Sequence, residues 1–311
     1  MTIASSKVVP PACAAPPHNG FSLISNDKLL QIYSTMLKCR MLQARIRSFA
    51  DKNNSIRPAS KTSPASAISQ EALAAGVGLD LLPGDTLAPS PGGFIPCFVK
   101  GLPLGTILER VFSVHSPRST AARPRYTDIN LIPPSLNLAA QLKRAIRDAT
   151  AHKKSRNKKI AVAFCGDSSY SPGILLDVMR QAGKRNLPIL LICHSGKSAN
   201  EICPQAQAFG FPGVIVDGDD AVAVYRVATE AIAHARRGSG PTLIECRPWV
   251  LSGDESRGRP AAGDPILKME NYLTRKGLFD KKFKSSVTTA FRRELEDALK
   301  FAHSSEPTKS L

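Results

Sequence analysis

The chain has 311 residues, of which 42% are hydrophobic and 6% aromatic, enough for one large α/β domain or a domain with helical extensions. No apolar run approaches the length of a membrane-spanning helix, which argues against a helical membrane protein. The formal net charge of +17 is unusual, and a sustained positive potential attracts nucleic acid or acidic protein partners.

The N-terminal stretch is rich in Pro and Ala and lacks both a secretion pattern and an Arg-rich transit pattern. We predict a disordered tail over 1–26, a single domain over 27–302 and a second disordered tail over 303–311. A bacterial cytoplasm is the expected location.

Hydrophobic periodicity predicts helices first and then an alternation of strands and helices. The early helices are predicted over 27–50, 69–80, 103–114 and 135–152. The alternation follows as strand 159–165, helix 173–184, strand 188–193, a short helix 203–208, strand 213–217, helix 220–237 and strand 241–246. Residues 264–302 are predicted to be helical. Strands separated by helices in this way indicate a doubly wound parallel sheet with helices on both faces.

The most informative segment is residues 159–196. KIAVAFC is apolar throughout, as expected of a strand buried on both faces, and Gly166 ends it directly before Asp167. Ligands of open α/β sheets bind at the carboxyl ends of the strands, so Asp167 is the first candidate to bind a metal or a phosphorylated cofactor. An Asp after a buried strand also commonly caps the next helix, and this alternative is at least as good.

This segment resembles the cofactor-binding core of the thiamine-diphosphate-dependent 2-oxo-acid dehydrogenases. The closest resemblance is to the alpha subunit of the decarboxylating first component of the pyruvate and branched-chain complexes. The family's GDG turn, the helix after it and the strand that ends in Asn-Asn align without a gap with CGDSSYSPG and, further on, NLPILLICHSG. The similarity continues through LLQIYSTMLKCRMLQARI at 29–46, ISQEALAAGVGLDLLPGD at 68–85, and the segments at 209–246 and 263–280.

The resemblance implies a thiamine-diphosphate-binding fold, with thiamine diphosphate and Mg²⁺ as cofactors. The cofactor-binding positions that it implies are Gly166, Asp167, Ser168, Ser171 and Gly196, with Asp167 as the metal ligand. Several of them depart from the family pattern. The second Asn of the pair becomes Gly196, which has no side-chain oxygen for Mg²⁺, while Ser195 or Ser198 would be weaker substitutes. The third residue of GDG becomes Ser168, and the turn Asn becomes Ser171.

Three further segments depart from the pattern implied by the resemblance. The family's Tyr-Arg-Asp-His run, which supplies a Tyr and an Arg to the diphosphate, corresponds to PSPGGFIPCFVKG, with no basic residue before Lys100. The Gly-rich loop corresponds to 115–130, which contains no glycine. The later cofactor-contacting His becomes Asp254. Such a spread of losses indicates weakened or lost catalysis.

Other residues favour structural roles. The cysteines show no CxxC pairing, and Cys39, Cys165, Cys193 and Cys246 are predicted to be buried thiols. His194 is expected to be a hydrogen-bonded residue at a strand end, Gln70 and Glu71 to serve packing or subunit contact, and Asp219 or Asp220 to cap the helix that follows. The segment 141–160 has eight Lys or Arg against one Asp. It is interpreted as a solvated helix end, or as a contact for an acidic partner.

The leading functional hypothesis is an alpha-subunit-like protein that pairs with a beta-like subunit in a hetero-oligomer, with weak or lost decarboxylation. The alternative is an active pyruvate or branched-chain 2-oxo-acid dehydrogenase alpha subunit, which by resemblance forms a heterotetramer of two alpha and two beta chains. A basic nucleic-acid-associated protein has only the charge to support it, because no zinc-finger, RNP or helix-turn-helix pattern accompanies it.

Overall fold

The computed structural model describes residues 24–52, 70–91, 93–112, 126–134, 137–165, 172–194, 202–247 and 263–304. The helices are α1 (Asn26–Lys52), α2 (Gln70–Gly78), α3 (Phe94–Val99), α4 (Leu104–Phe112), α5 (Leu138–Ser155), α6 (Pro172–Lys184), α7 (Cys203–Ala208), α8 (Ala221–Arg236), α9 (Pro265–Arg275) and α10 (Lys281–Ser304). The strands are β1 (Thr86–Ala88), β2 (Ala161–Phe164), β3 (Ile189–His194), β4 (Gly213–Asp217) and β5 (Thr242–Arg247).

Within these residues the strands form one five-stranded sheet in the order β1-β2-β3-β5-β4. All neighbouring pairs are parallel. Each strand pair is joined by chain that crosses over the sheet, as a parallel arrangement requires. The prediction of a parallel α/β sheet is confirmed.

The two faces of the sheet bury different residues of the same strands, because side chains alternate along a strand. Val162 and Ile192 point to one face, where α2, α3, α4, α8 and α10 contribute the rest of the core. Ala163 and Leu191 point to the other face, against α5, α6 and α7. Every residue of β2 is buried, which explains why AVAF reads as a continuous apolar run. Helices thus cover both faces, and the doubly wound arrangement is confirmed.

Two elements were missing from the prediction. Strand β1 has three residues, and α3 has six. A segment this short carries no periodicity of its own. β1 is a strand because Thr86, Leu87 and Ala88 pair in register with Ala161, Val162 and Ala163 of β2.

The predicted helix cap before α8 is Asp220, whose carboxylate accepts hydrogen bonds from the backbone N–H groups of Val222 and Ala223 at 2.9 and 3.0 Å. The first helix starts at Asn26 and the last ends at Ser304. The division into one domain with two tails stays a prediction. None of the helices in the described ranges combines the length and apolar character needed to cross a bilayer.

Candidate functional site

The candidate site is the edge of the sheet where the parallel strands end. Cys165 follows β2, His194 ends β3 and Arg247 ends β5, and these are three adjacent strands. The segments 166–171, 195–201 and 248–262 continue the chain from these three points. Open α/β sheets bind ligands at this edge.

The predicted cofactor positions belong to these segments. Gly166, Asp167, Ser168, Ser171 and Gly196 lie outside the described residues, as do Ser195, Ser198 and Asp254. The structure brings the strand ends before them to one edge, since Cys165 N donates a hydrogen bond to the carbonyl of Ile192 at 2.8 Å. The metal-ligand and helix-cap alternatives for Asp167 both stay predictions.

Glu245 is a fully buried carboxylate that was not predicted from the sequence. One of its oxygens accepts hydrogen bonds from the backbone N–H groups of Ile202 and Cys203, both at 3.0 Å, and Arg247 Nε donates to the other at 2.9 Å. Burial alone would raise the pKa of this carboxyl, but Arg247 and the two N–H groups outweigh it and lower the pKa. Glu245 therefore holds the start of α7 against β5 beside the candidate site.

A second carboxylate pairs with a basic side chain at the end of the edge strand β4. Lys268 Nζ of α9 lies 2.9 Å from Asp217 Oδ2. The backbone N–H of Asp219 also donates to Asp217 Oδ1 at 3.0 Å. This arrangement ties α9 to the turn between β4 and α8.

A cluster of three charged side chains lies where α1, α2 and α9 meet. Arg40 Nε donates to Glu71 Oε1 at 3.0 Å, and Arg40 Nη1 donates to Asp264 Oδ2 at 3.1 Å. Asp264 also caps α9 through the N–H groups of Ile266 and Leu267. The cluster therefore fixes the start of α9 against α1 and α2.

Glu71 has no exposed surface, and its burial raises the pKa of the carboxyl to about 7, against the lowering effect of Arg40. Burial would also raise the pKa of Asp264, but hydrogen bonds from Arg40 outweigh it and the pKa is lowered. Glu71 was predicted to serve packing or subunit contact, and its contacts in this chain are internal. One sign of this buried carboxylate was visible in the sequence, because Glu71 stands directly before the apolar residues ALAAGVG of α2. Its partners Arg40 and Asp264 are distant in sequence and could not be predicted.

The predicted burial of Cys39, Cys165, Cys193 and Cys246 is confirmed. Cys39, Cys97, Cys165, Cys193, Cys203 and Cys246 are all buried and free. Burial raises the pKa of the Cys203 and Cys97 thiols to about 12 in each case, which makes them poor nucleophiles. His194 is partly buried at the end of β3, opposite Cys246 of β5.

The described residues at this edge do not fit a diphosphate. Arg247 and Lys268, which stand next to the ends of β5 and β4, are each paired with a carboxylate. The turn after β1 reads Pro89-Ser90-Pro91 and offers no guanidinium fork. No group of three or more metal-ligating side chains occurs among the residues with described positions.

Comparisons with a family model and with individual relatives point to one protein family. A family model described as the dehydrogenase E1 component matches residues 33–310. The alpha subunit of acetoin:2,6-dichlorophenolindophenol oxidoreductase of Bacillus subtilis (strain 168) is 26% identical over 316 residues, covering 92% of this chain and 92% of that protein. The alpha subunit of 3-methyl-2-oxobutanoate dehydrogenase of Mycobacterium tuberculosis (strain ATCC 25618 / H37Rv) is 28% identical over 256 residues, covering 74% of this chain and 68% of that protein.

Solved structures with the same fold include a transketolase from Campylobacter jejuni subsp. jejuni, with a TM-score of 0.51 and 19% identity over 88% of this chain. A transketolase mutant from Pichia stipitis gives a TM-score of 0.53 and 16% identity over 90% of this chain. The chain covers 48% and 46% of these two transketolase chains, so the likeness is one of fold.

Proposed function

The chain belongs to the dehydrogenase E1 component family, and we propose that it is an alpha-subunit-like member whose thiamine-diphosphate-dependent decarboxylation is weak or lost. The observation that carries the proposal is the chemistry of the strand-end edge. Basic side chains next to the ends of β4 and β5 are already neutralised by carboxylates, and the turn after β1 has no basic residue.

The cofactor implied by the family is thiamine diphosphate with Mg²⁺, and Asp167 is the proposed metal ligand. The other proposed cofactor contacts are the main chain at Gly166 and Gly196 and the hydroxyls of Ser168 and Ser171. Gly196 has no side-chain oxygen, and a serine hydroxyl is a weaker Mg²⁺ ligand than the amide oxygen of the family pattern. We therefore expect the cofactor to bind weakly.

The proposed partner is a beta-like subunit, in a heterotetramer of two alpha and two beta chains. A bacterial cytoplasm is the proposed location. In such an assembly the chain would act as a scaffold or regulator, with its α/β core intact and its own catalysis reduced. Relatives named as alpha subunits support a partnered chain.

The alternative is an active alpha subunit of a pyruvate or branched-chain 2-oxo-acid dehydrogenase. The alignment with the 3-methyl-2-oxobutanoate dehydrogenase alpha subunit, over 74% of this chain and 68% of that protein, favours it. In that case the beta subunit would have to supply the diphosphate contacts that this chain lacks.

Calorimetric titration with thiamine diphosphate and Mg²⁺ tests the proposal, with the purified chain alone and mixed with a beta subunit of the family. We expect no binding tighter than about millimolar in either preparation, since Arg and Asn contacts are missing. Native mass spectrometry of the mixture measures whether the two chains assemble.

Asp167→Ala is the matched variant for this titration. Magnesium-dependent micromolar binding that disappears in Asp167→Ala would overturn the proposal of lost function and favour the active alternative. Absence of assembly with a beta subunit would overturn the proposed partnership, whatever the cofactor result.

A further inference from the structure

The opposite edge of the sheet, where the strands begin, brings three helix ends together. Strands β2, β3 and β5 are neighbours, so the connections 156–160, 185–188 and 237–241 that lead into them lie side by side. Lys153 Nζ donates to the carbonyls of Arg185 and Asn186 at 2.6 and 3.2 Å. Asn186 Nδ2 donates to the carbonyl of Gly238 at 3.1 Å. The ends of α5, α6 and α8 therefore form one continuous surface.

This surface is strongly basic. Five of its exposed cations are called here the amino-edge basic surface: Lys154, Arg156, Lys158, Lys184 and Arg185. Lys153, Lys159 and Arg237 are exposed beside them. Asp85 lies at the same edge but is fully buried, and Arg236 donates hydrogen bonds to its carboxylate at 2.6 and 3.3 Å. The negative charge of Asp85 is therefore paired inside the protein and does not neutralise the surface cations.

Two of these cations occupy backbone positions that favour other residues. Arg156, which directly follows α5, has φ of 49°, and Lys158 has φ of 56°. Left-handed φ values favour Gly or Asn, because a Cβ crowds the following carbonyl. The chain thus carries long cationic side chains at two positions where an uncharged glycine would relieve backbone strain.

We propose that the amino-edge basic surface binds an acidic segment of a partner polypeptide. The helices present their C-terminal ends here, so backbone carbonyls lie among the cations. An acidic polypeptide matches both features, because its carboxylates pair with Lys and Arg while its backbone N–H groups can donate to the carbonyls.

The same features disfavour nucleic acid as the occupant. A phosphate backbone offers only acceptors to this mixed surface, whereas a polypeptide brings backbone N–H donors as well as carboxylates. The stretches 153–159, 184–187 and 236–241 contain no aromatic residue on which bases could stack. The surface is also at the opposite end of the strands from the candidate cofactor site, so the inference does not rest on the proposed function.

The experiment measures binding of fluorescently labelled poly-L-glutamate by anisotropy, beside a labelled DNA duplex at the same salt concentration. The first variant is Arg156→Gly with Lys158→Gly. We expect about fivefold weaker binding of poly-L-glutamate together with an increase in Tm of about 2–3 °C, because charge is lost while backbone strain is relieved. Weaker binding by a more stable protein cannot be ascribed to misfolding.

A charge-reversal triple variant, Lys154→Glu, Lys184→Glu and Arg185→Glu, is expected to abolish detectable binding. Its control is Lys281→Glu, Lys282→Glu and Arg293→Glu on α10, which changes the net charge equally at exposed positions on the other face of the sheet. The control should change binding less than twofold. Equal losses in both triple variants would overturn the proposal, because net charge alone would then explain binding. Tighter binding of the DNA duplex that depends on the same residues would also overturn it.

Discussion

Glu71 is a buried carboxylate that lies beside the guanidinium of Arg40. Burial disfavours the ionised form of Glu71, whereas the nearby Arg40 favours it. Asp264 also accepts a hydrogen bond from Arg40 and so shares its positive charge. A buried ion pair of this kind contributes little net stability, but removal of one partner is costly because the other charge is left without compensation. Arg40 is partly exposed and keeps Asp264, which limits that cost.

Glu71→Ala is expected to lower the free energy of unfolding by about 3 kcal/mol, from the cavity and from the unbalanced Arg40. Urea unfolding monitored by circular dichroism measures it. The control is Glu230→Ala, which removes an exposed carboxylate paired with Arg237 and should change stability by less than about 0.5 kcal/mol. Similar effects of the two substitutions would contradict the structural role given to the cluster.

At the scale of elements, the contact between α6 and the turn that follows α7 depends on a glycine inside a helix. A Cβ added at Gly183 would collide with the carbonyl oxygen of Phe209 and lie 3.1 Å from the ring of Phe211. Gly173, at the start of the same helix, has open space where a Cβ would be added. The helix therefore tolerates a side chain at one glycine and excludes it at the other.

Gly183→Ala should destabilise the protein by about 1–3 kcal/mol, although Ala is the better helix former, because the contact with the Phe209 carbonyl involves backbone that cannot move aside. Gly173→Ala should be neutral or stabilising by up to about 1 kcal/mol. Thermal unfolding of the two variants is the measurement. A stabilising Gly183→Ala would mean that α6 and the turn after α7 are not packed this closely.

For the whole molecule, stability should depend on pH through Glu71. Its native pKa of about 7 lies above the ordinary value of 4.5, so the native state binds this proton more tightly than the unfolded state. The resulting stabilisation is fully present below about pH 4.5 and is lost as the pH rises through about 7.

Glu71→Gln carries no titrating group, so its difference in unfolding free energy from the native protein isolates this effect. We expect the native protein to lose stability relative to Glu71→Gln between about pH 5 and 8, as measured by urea unfolding at a series of pH values. A constant difference across this range would contradict a raised pKa for Glu71.

The sequence by itself determined the alternating α/β order, the parallel sheet and a helix cap at Asp219 or Asp220, because these depend on short-range patterns. Runs such as AVAF and ILLICH are apolar throughout, and such runs belong to strands buried on both faces. The family resemblance also came from local motifs, so it survived substitutions at the proposed cofactor positions.

Only the tertiary structure decided the remaining features, because each joins residues far apart in the chain. β1 became a strand through pairing with β2, and Arg40, Glu71 and Asp264 were brought together by three different helices. The basic segment 141–160 was visible in the sequence, but its continuation onto Lys184 and Arg185 was not. That continuity follows from the adjacency of β2 and β3, which places the preceding helix ends side by side.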